Sequence, residues 1–192
     1  MKPRLDEAQA GNRHVFFVDA SHFVLGMYSG CLWTIGRKWI PASTGRQRFN
    51  VLGAYDAVTR QLVTITNTTV VNTETMCELL EKMSKLGLKK PVTIVLDNAR
   101  YQRNAFVMEL ADELGIELLF LPSYSPNLNL IERLWRLIKR TALYGRYYAN
   151  FKLFKAAIEK TIDELHTVHR EKLESMMTLK FQTFKEVLLL AA

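Results

Sequence analysis

One stretch limits the possible folds more than any other: Pro91–Arg140, PVTIVLDNARYQRNAFVMELADELGIELLFLPSYSPNLNLIERLWRLIKR. Val92–Leu96 and Ile116–Leu121 are nearly all apolar and of strand length. Such runs, without polar alternation, suit strands buried on both faces. Between them Val107, Leu110, Ala111 and Leu114 recur at helical spacing in a segment from Asn104 that Gly115 stops. Ser125-Pro126 then offers a helix start, with Ser at the N-cap and Pro at the first helical position, and that helix reaches at least Arg140. Alternating strands and helices of this kind require a layered α/β architecture.

The rest of the chain supplies the remaining strands. His14–Val18 reads as a strand ended by Asp19, and Phe49–Tyr55 and Leu62–Val70 as an antiparallel hairpin turning over Asp56–Gln61. Phe23–Arg46, rich in glycine, aromatic and basic residues, suggests an inserted β-hairpin packed down by Trp33 and Trp39. Met76, Leu79, Leu80, Met83 and Leu86 mark a helix capped by Asn72 or Thr73 and closed by Gly87. Phe151, Phe154, Ile158, Ile162, Leu165 and Val168 mark another, with part of the tail to Ala192 also helical. The expected fold is a mixed five-stranded sheet flanked by helices on both faces, the element order of the ribonuclease H-like fold, in which the first and fourth strands lie side by side. Residues 14–192 are expected to form one domain, with C-terminal helices over 149–192, and residues 1–13 a polar arm or linker remnant.

The formal charge of +7 favours a polyanionic partner. Cys31 and Cys77 lack the paired spacing of a zinc site or disulfide framework. The longest apolar run, Val187–Ala192, is far short of the roughly 20 residues that span a bilayer. With no signal-like N-terminus, a cytoplasmic protein is expected, without a membrane partner.

Three carboxylates carry the chemistry. Asp19 and Asp97 each follow an apolar run directly, and adjacent strand ends would set their oxygens close enough to repel unless a cation bridged them. Glu132 sits on the shoulder of the stripe formed by Leu128, Ile131, Leu134, Trp135 and Ile138, with Arg136 and Lys139 on the same flank. An all-oxygen donor set suits Mg²⁺ or Mn²⁺, and two ions about 4 Å apart can drive phosphodiester chemistry. Asn98, His22 and Asn129 are candidate supports for the carboxylates, and Arg37, Lys38, Arg46, Arg48, Arg100, Arg136, Lys139 and Arg140 are candidate DNA contacts. Trp135 reads as core, the cluster Tyr144, Tyr147 and Tyr148 as packing, and Asp56 as a turn residue.

The segments FVDASHF, RQRFNVLGAYDAVT, VLDNARYQ and LPSYSPNLNLIERLWRLIKR resemble the catalytic domain of IS630-type transposases, within the IS630/Tc1/mariner superfamily. The 34 residues between Asp97 and Glu132 match the DD34E pattern of that superfamily. The resemblance implies a catalytic and metal-binding triad of Asp19, Asp97 and Glu132, two Mg²⁺ or Mn²⁺ ions in the DNA-bound state, and a homodimer acting on transposon ends and target DNA. Ala20 stands where many relatives carry glutamate, and residues 1–13 do not supply the helix-turn-helix region such proteins usually have, so a catalytic domain alone is expected. The alternatives are a non-catalytic DNA-binding or regulatory fragment, and a ribonuclease H-like nuclease acting on RNA–DNA hybrids, which leaves the SPNLNLIERLWRLIK block unexplained.

Overall fold

A computed structural model describes residues 1–26, 28, 35, 45–122 and 128–181. In chain order the elements are α1 (Lys2–Gln9), β1 (His14–Val24), β2 (Arg48–Asp56), β3 (Leu62–Asn67), α2 (Thr73–Ser84), β4 (Val92–Leu96), a 3-10 turn over Arg100–Arg103, α3 (Ala105–Glu113), β5 (Ile116–Phe120), α4 (Ile131–Ala142), α5 (Phe151–Asp163) and α6 (Arg170–Met176). The five strands form one sheet in the order β3-β2-β1-β4-β5. β1–β2 and β2–β3 are antiparallel, whereas β1–β4 and β4–β5 are parallel. The sheet is therefore mixed, with the first and fourth strands adjacent, as the element order suggests.

Strand alternation sends successive side chains to opposite faces. Val15 and Phe17, with Val51, Tyr55 and Val95, pack under Leu134 and Ile138 of α4 and Phe154 and Ile158 of α5. Phe16 and Val18, with Leu52, Ala54, Ile94 and Leu96, pack under Met76, Leu79 and Met83 of α2 and Val107 of α3. Phe16 and Phe17 are both fully buried, each stabilising its own layer by roughly 1.5–3 kcal/mol. α2 starts at Asn72, whose side chain accepts from the Thr75 amide at 3.1 Å while Thr75 Oγ1 accepts from the Asn72 amide at 3.4 Å.

Several boundaries differ from expectation. β1 does not stop at Asp19; it runs to Val24, because pairing with β2 continues beyond the end of β4. β3 stops at Asn67 rather than Val70, since the Asn67 side chain accepts from the Thr69 amide and donates to the Val70 carbonyl, folding the chain into a turn. β5 lies at the sheet edge and is only half-buried beyond Ile116. Val168 is exposed because α5 ends at Asp163. α4 begins at Ile131 without a side-chain cap; Ser125 and Pro126 lie outside the described residues. So do Trp33, Trp39, Cys31 and most of the segment read as an inserted hairpin. Residues 1–13 hold a helix, not a loose arm: Leu5 and Ala8 of α1 are buried on the sheet. Its Arg4 donates to Glu117 at 2.7 Å, and Arg13 donates to Thr93 Oγ1 at 2.9 Å. Among the described residues no helix is long and apolar enough to cross a membrane.

Candidate functional site

β1 and β4 bring the two aspartates together. Phe17 pairs with Val95 across the parallel strands, and two residues further along each chain stand Asp19 and Asp97. Only Asp97 lies at a strand end; Asp19 is inside β1, paired across β2 with Gly53. Both continue the face under α4, whose first turn supplies Glu132. Glu132 is half-buried beside the buried Ile131, Leu134 and Trp135, the shoulder position expected of it.

The electrostatics among the described residues are those of an acid cluster whose like charges dominate. Burial pushes the Asp19 carboxyl up to about 7, and the charges of Asp97 and Glu132 add to the effect. Burial, then Asp97, also raises Glu132, against the opposing pull of Arg136 and Lys139. Among the described residues no three His, Cys, Asp or Glu side chains converge tightly enough to enclose one ion. The carboxylates thus share a field without yet meeting at a point. Their chemistry fits a hard divalent cation: the donors are all oxygen, all anionic and mutually repulsive. Asp19, Asp97 and Glu132 are the residues that could hold it.

A cleft of about 430 Å³ opens along this rim, lined by Asp19, Glu132, Trp135, Arg136, Lys139 and Tyr144 among others. Arg136 is exposed at its edge, and Lys139 Nζ lies 5.8 Å from the Phe23 ring centroid. Arg46, Arg48, Arg100 and Arg140 are exposed. Arg48 stands across from Val24, at the far end of β1 from His14, whereas Asp19 pairs with Gly53 in mid-strand. Arg37 and Lys38 lie outside the described residues.

The three candidate supports behave differently. Asn98 adopts φ 77°, a left-handed conformation that asparagine tolerates better than most residues. Its amide donates to the Leu121 carbonyl, and its Oδ1 accepts from Arg103 Nε at 2.8 Å. This clamps the turn that presents Asp97. Asn129 is buried; its Nδ2 donates to the Val18 carbonyl at 3.3 Å, tying the approach to α4 onto β1, while Oδ1 has no partner among the described residues. His22 hydrogen-bonds through Nδ1 to the buried Asn50 at 2.7 Å, and alternation places it on the face of β1 opposite to Asp19. Asp56 is the turn residue expected: its Oδ1 accepts from the Val58 and Thr59 amides, each at 2.8 Å.

Sequence reasoning missed four neighbours. Trp135, read as core, also donates from Nε1 to Asp19 Oδ2 at 3.0 Å. Gly53 faces the Trp135 ring so closely that a Cβ would sit 2.8 Å from it; a glycine inside an apolar strand was the available signal. Tyr144 is exposed at the cleft, whereas Tyr148 packs against Phe154 as expected. Tyr101, whose phenol is pushed up to about 12 chiefly by burial, also feels Asp19 and Asp97.

Comparison with known proteins places this geometry in context. The profile of a family described as DDE superfamily endonuclease matches residues 14–155. No curated protein matches the chain. Among solved structures it resembles the Mos1 strand transfer complex at 16% identity and TM-score 0.60, over 96% of this chain and 60% of that one. It also resembles the Mos1 mariner paired end complex with Mn, at 13% identity and TM-score 0.59, over 96% and 61%. The catalytic core domain of BIV integrase is similar at 13% identity and TM-score 0.52, over 85% of this chain and 95% of that one. At such identities the likeness is one of fold, and the chain spans about three fifths of the Mos1 chain.

Proposed function

Because the chain belongs to the DDE superfamily endonuclease family, we propose that it is the catalytic domain of an IS630-type transposase, with residues 14–192 as one domain. It cuts phosphodiester bonds at transposon ends and joins the freed 3′-OH to target DNA, as a homodimer at the nucleoid. The observation that carries this reading is the cluster of Asp19, Asp97 and Glu132, in which burial and like charge push the Asp19 carboxyl up to about 7.

Asp19 and Asp97 together would hold one Mg²⁺ or Mn²⁺, and Glu132 would complete the site for a second. When bound, such ions activate the attacking oxygen and stabilise the leaving one. The chain's own contributions follow from its residues. Asp19 would give up its proton on taking a cation. Asn98 fixes the turn behind Asp97, and Asn129 ties the approach to α4 onto β1. Arg136 and Lys139, on the flank of Glu132, line the cleft and would face the phosphate backbone there. The basic excess of the chain supports the same partner.

A second reading is a DNA-binding fragment that does not cut, for which the basic excess of the chain would serve equally well. Nicking of supercoiled plasmid and of RNA–DNA hybrid, with Mg²⁺ or Mn²⁺, separates the readings when wild type is compared with Asp97→Ala. The transposase reading expects metal-dependent plasmid nicking that Asp97→Ala abolishes. Equal nicking by both proteins sinks it. DNA binding without cutting in either protein supports the fragment, and preference for the hybrid a nuclease of another kind.

A further inference from the structure

Trp135 stands on the buried stripe of α4 and is only 4% exposed. Its ring packs edge-on against Phe23 at 6.4 Å between centroids, which by itself would make it an ordinary core residue. Its indole N–H, however, donates to Asp19 Oδ2 at 3.0 Å. An indole nitrogen is a donor only, so it can serve an acceptor and nothing else.

The seat for that ring is built into the opposite strand. Gly53 of β2 is the cross-strand partner of Asp19. A Cβ there would lie 2.8 Å from Trp135 Cη2, 2.9 Å from Cζ2 and 3.1 Å from Ile131 Cδ1. Any other residue at position 53 would push the indole away from Asp19. Glycine weakens a strand interior, and close approach of the ring is what it permits here. Trp135 also follows Glu132 by one helical turn. A single turn of α4 therefore carries one carboxylate of the cluster and grips another.

We propose that Trp135, seated on Gly53, is a positioning residue for Asp19: its N–H fixes one carboxylate oxygen, so that the helix bearing Glu132 also sets the orientation of the first aspartate. This rests on the reading of Asp19 as a metal ligand. Partners of this kind, hydrogen-bonded to a ligating carboxylate, set ligand orientation, and their loss weakens metal binding.

The test measures Mn²⁺ binding to the full chain by electron paramagnetic resonance of the free ion, with thermal unfolding of the same samples. The proteins are wild type, Asp19→Asn, Gly53→Ala, Trp135→Phe, and a form in which sulfur replaces the N–H of the Trp135 ring alone. The sulfur isostere keeps ring shape and packing, so a purely structural role predicts wild-type affinity for it. The positioning role predicts roughly 10-fold weaker Mn²⁺ binding by the isostere at an unchanged unfolding midpoint, with Trp135→Phe and Gly53→Ala weakened in the same direction. If Trp135→Phe does not fold, the isostere carries the test. Wild-type affinity in the isostere, with binding still weakened by Asp19→Asn, overturns the role of Trp135 and leaves that of Asp19 standing. Mn²⁺ binding that is absent in wild type, or indifferent to Asp19→Asn, overturns both.

Discussion

Acidic side chains gather at both ends of the parallel β4–β5 pair, in opposite surroundings. Where these strands begin, Glu117 meets Arg4 at 2.7 Å and Arg13 at 3.1 Å. Glu7 meets the same two arginines at 2.9 and 2.5 Å, and Thr93 donates to Glu117 at 2.7 Å. Where the strands end, the charges of Asp97 and Glu132 hinder the ionisation of Asp19, and Arg136 and Lys139 only partly offset the effect of burial and Asp97 on Glu132. One cluster is neutralised by the chain itself and holds α1 to the sheet. The other is only partly offset by the described residues around it. An acid cluster that costs stability in the free protein is retained where a function uses it.

The widest separation between the two ends should appear in catalysis. Alanine at Asp19, Asp97 or Glu132 is expected to lower metal-dependent plasmid nicking by on the order of 10³-fold or more, while Glu117→Gln leaves it unchanged; gel assays of the four variants beside wild type decide it.

Next in size is an opposite dependence of stability on pH. The Asp19 carboxyl is raised from 3.8 to about 7, so the folded protein holds a proton that the unfolded chain has released. In metal-free buffer its contribution is present below pH 4 and is lost as pH rises to about 7, by at most about 4 kcal/mol. Asp19→Asn should remove that slope in urea titrations. At Glu117, burial works upward, but the hydrogen bonds from Arg4 and Thr93 outweigh it and the carboxyl lies below its usual value of 4.5. Its contribution is lost in the other direction, as pH falls, and Glu117→Gln should abolish only that acid-side loss.

A smaller effect is expected from Arg13→Ala, which breaks the links to Glu7, Thr93 and Glu117. These pairs are partly exposed, so a loss of about 1 kcal/mol, reduced by added salt, is the expected result. The smallest is at the cleft edge. Arg136→Ala should weaken binding to all DNA sequences alike and reduce the slope of log affinity against log salt by about 1, measured by fluorescence anisotropy.

The fold was legible because Val92–Leu96 and Ile116–Phe120 are too short and too apolar for helices, although the second proved a half-buried edge strand, and because α2, α3 and α5 show plain helical spacing. The half-buried shoulder position of Glu132 was legible from helical angles. Asp19 was half-legible: the residues after it, Ala20–Val24, mix polar and apolar side chains and find their partners only in β2. α1 was hidden because KPRLDEAQ is mostly polar and its attachments lie far away in sequence, at Thr93 and Glu117. The Trp135 bond was hidden for a like reason. Spacing says which face a tryptophan shows, but its acceptor is 116 residues distant.

The place of Asp19 inside β1, not at its tip, has a consequence for how this chain tolerates insertions and deletions. Side chains in a strand follow a count of odd and even. Val15, Phe17 and Asp19 share one parity, and Phe16 and Val18 the other. Losing one residue between His14 and Asp19 alters neither the charge of the cluster nor the apolar character of the strand, yet it would turn the carboxylate into the layer beneath α2. Losing two would turn it back. β1 thus carries its share of the carboxylate cluster in a two-residue reading frame, in which the first aspartate can be deleted in effect while still present in the sequence.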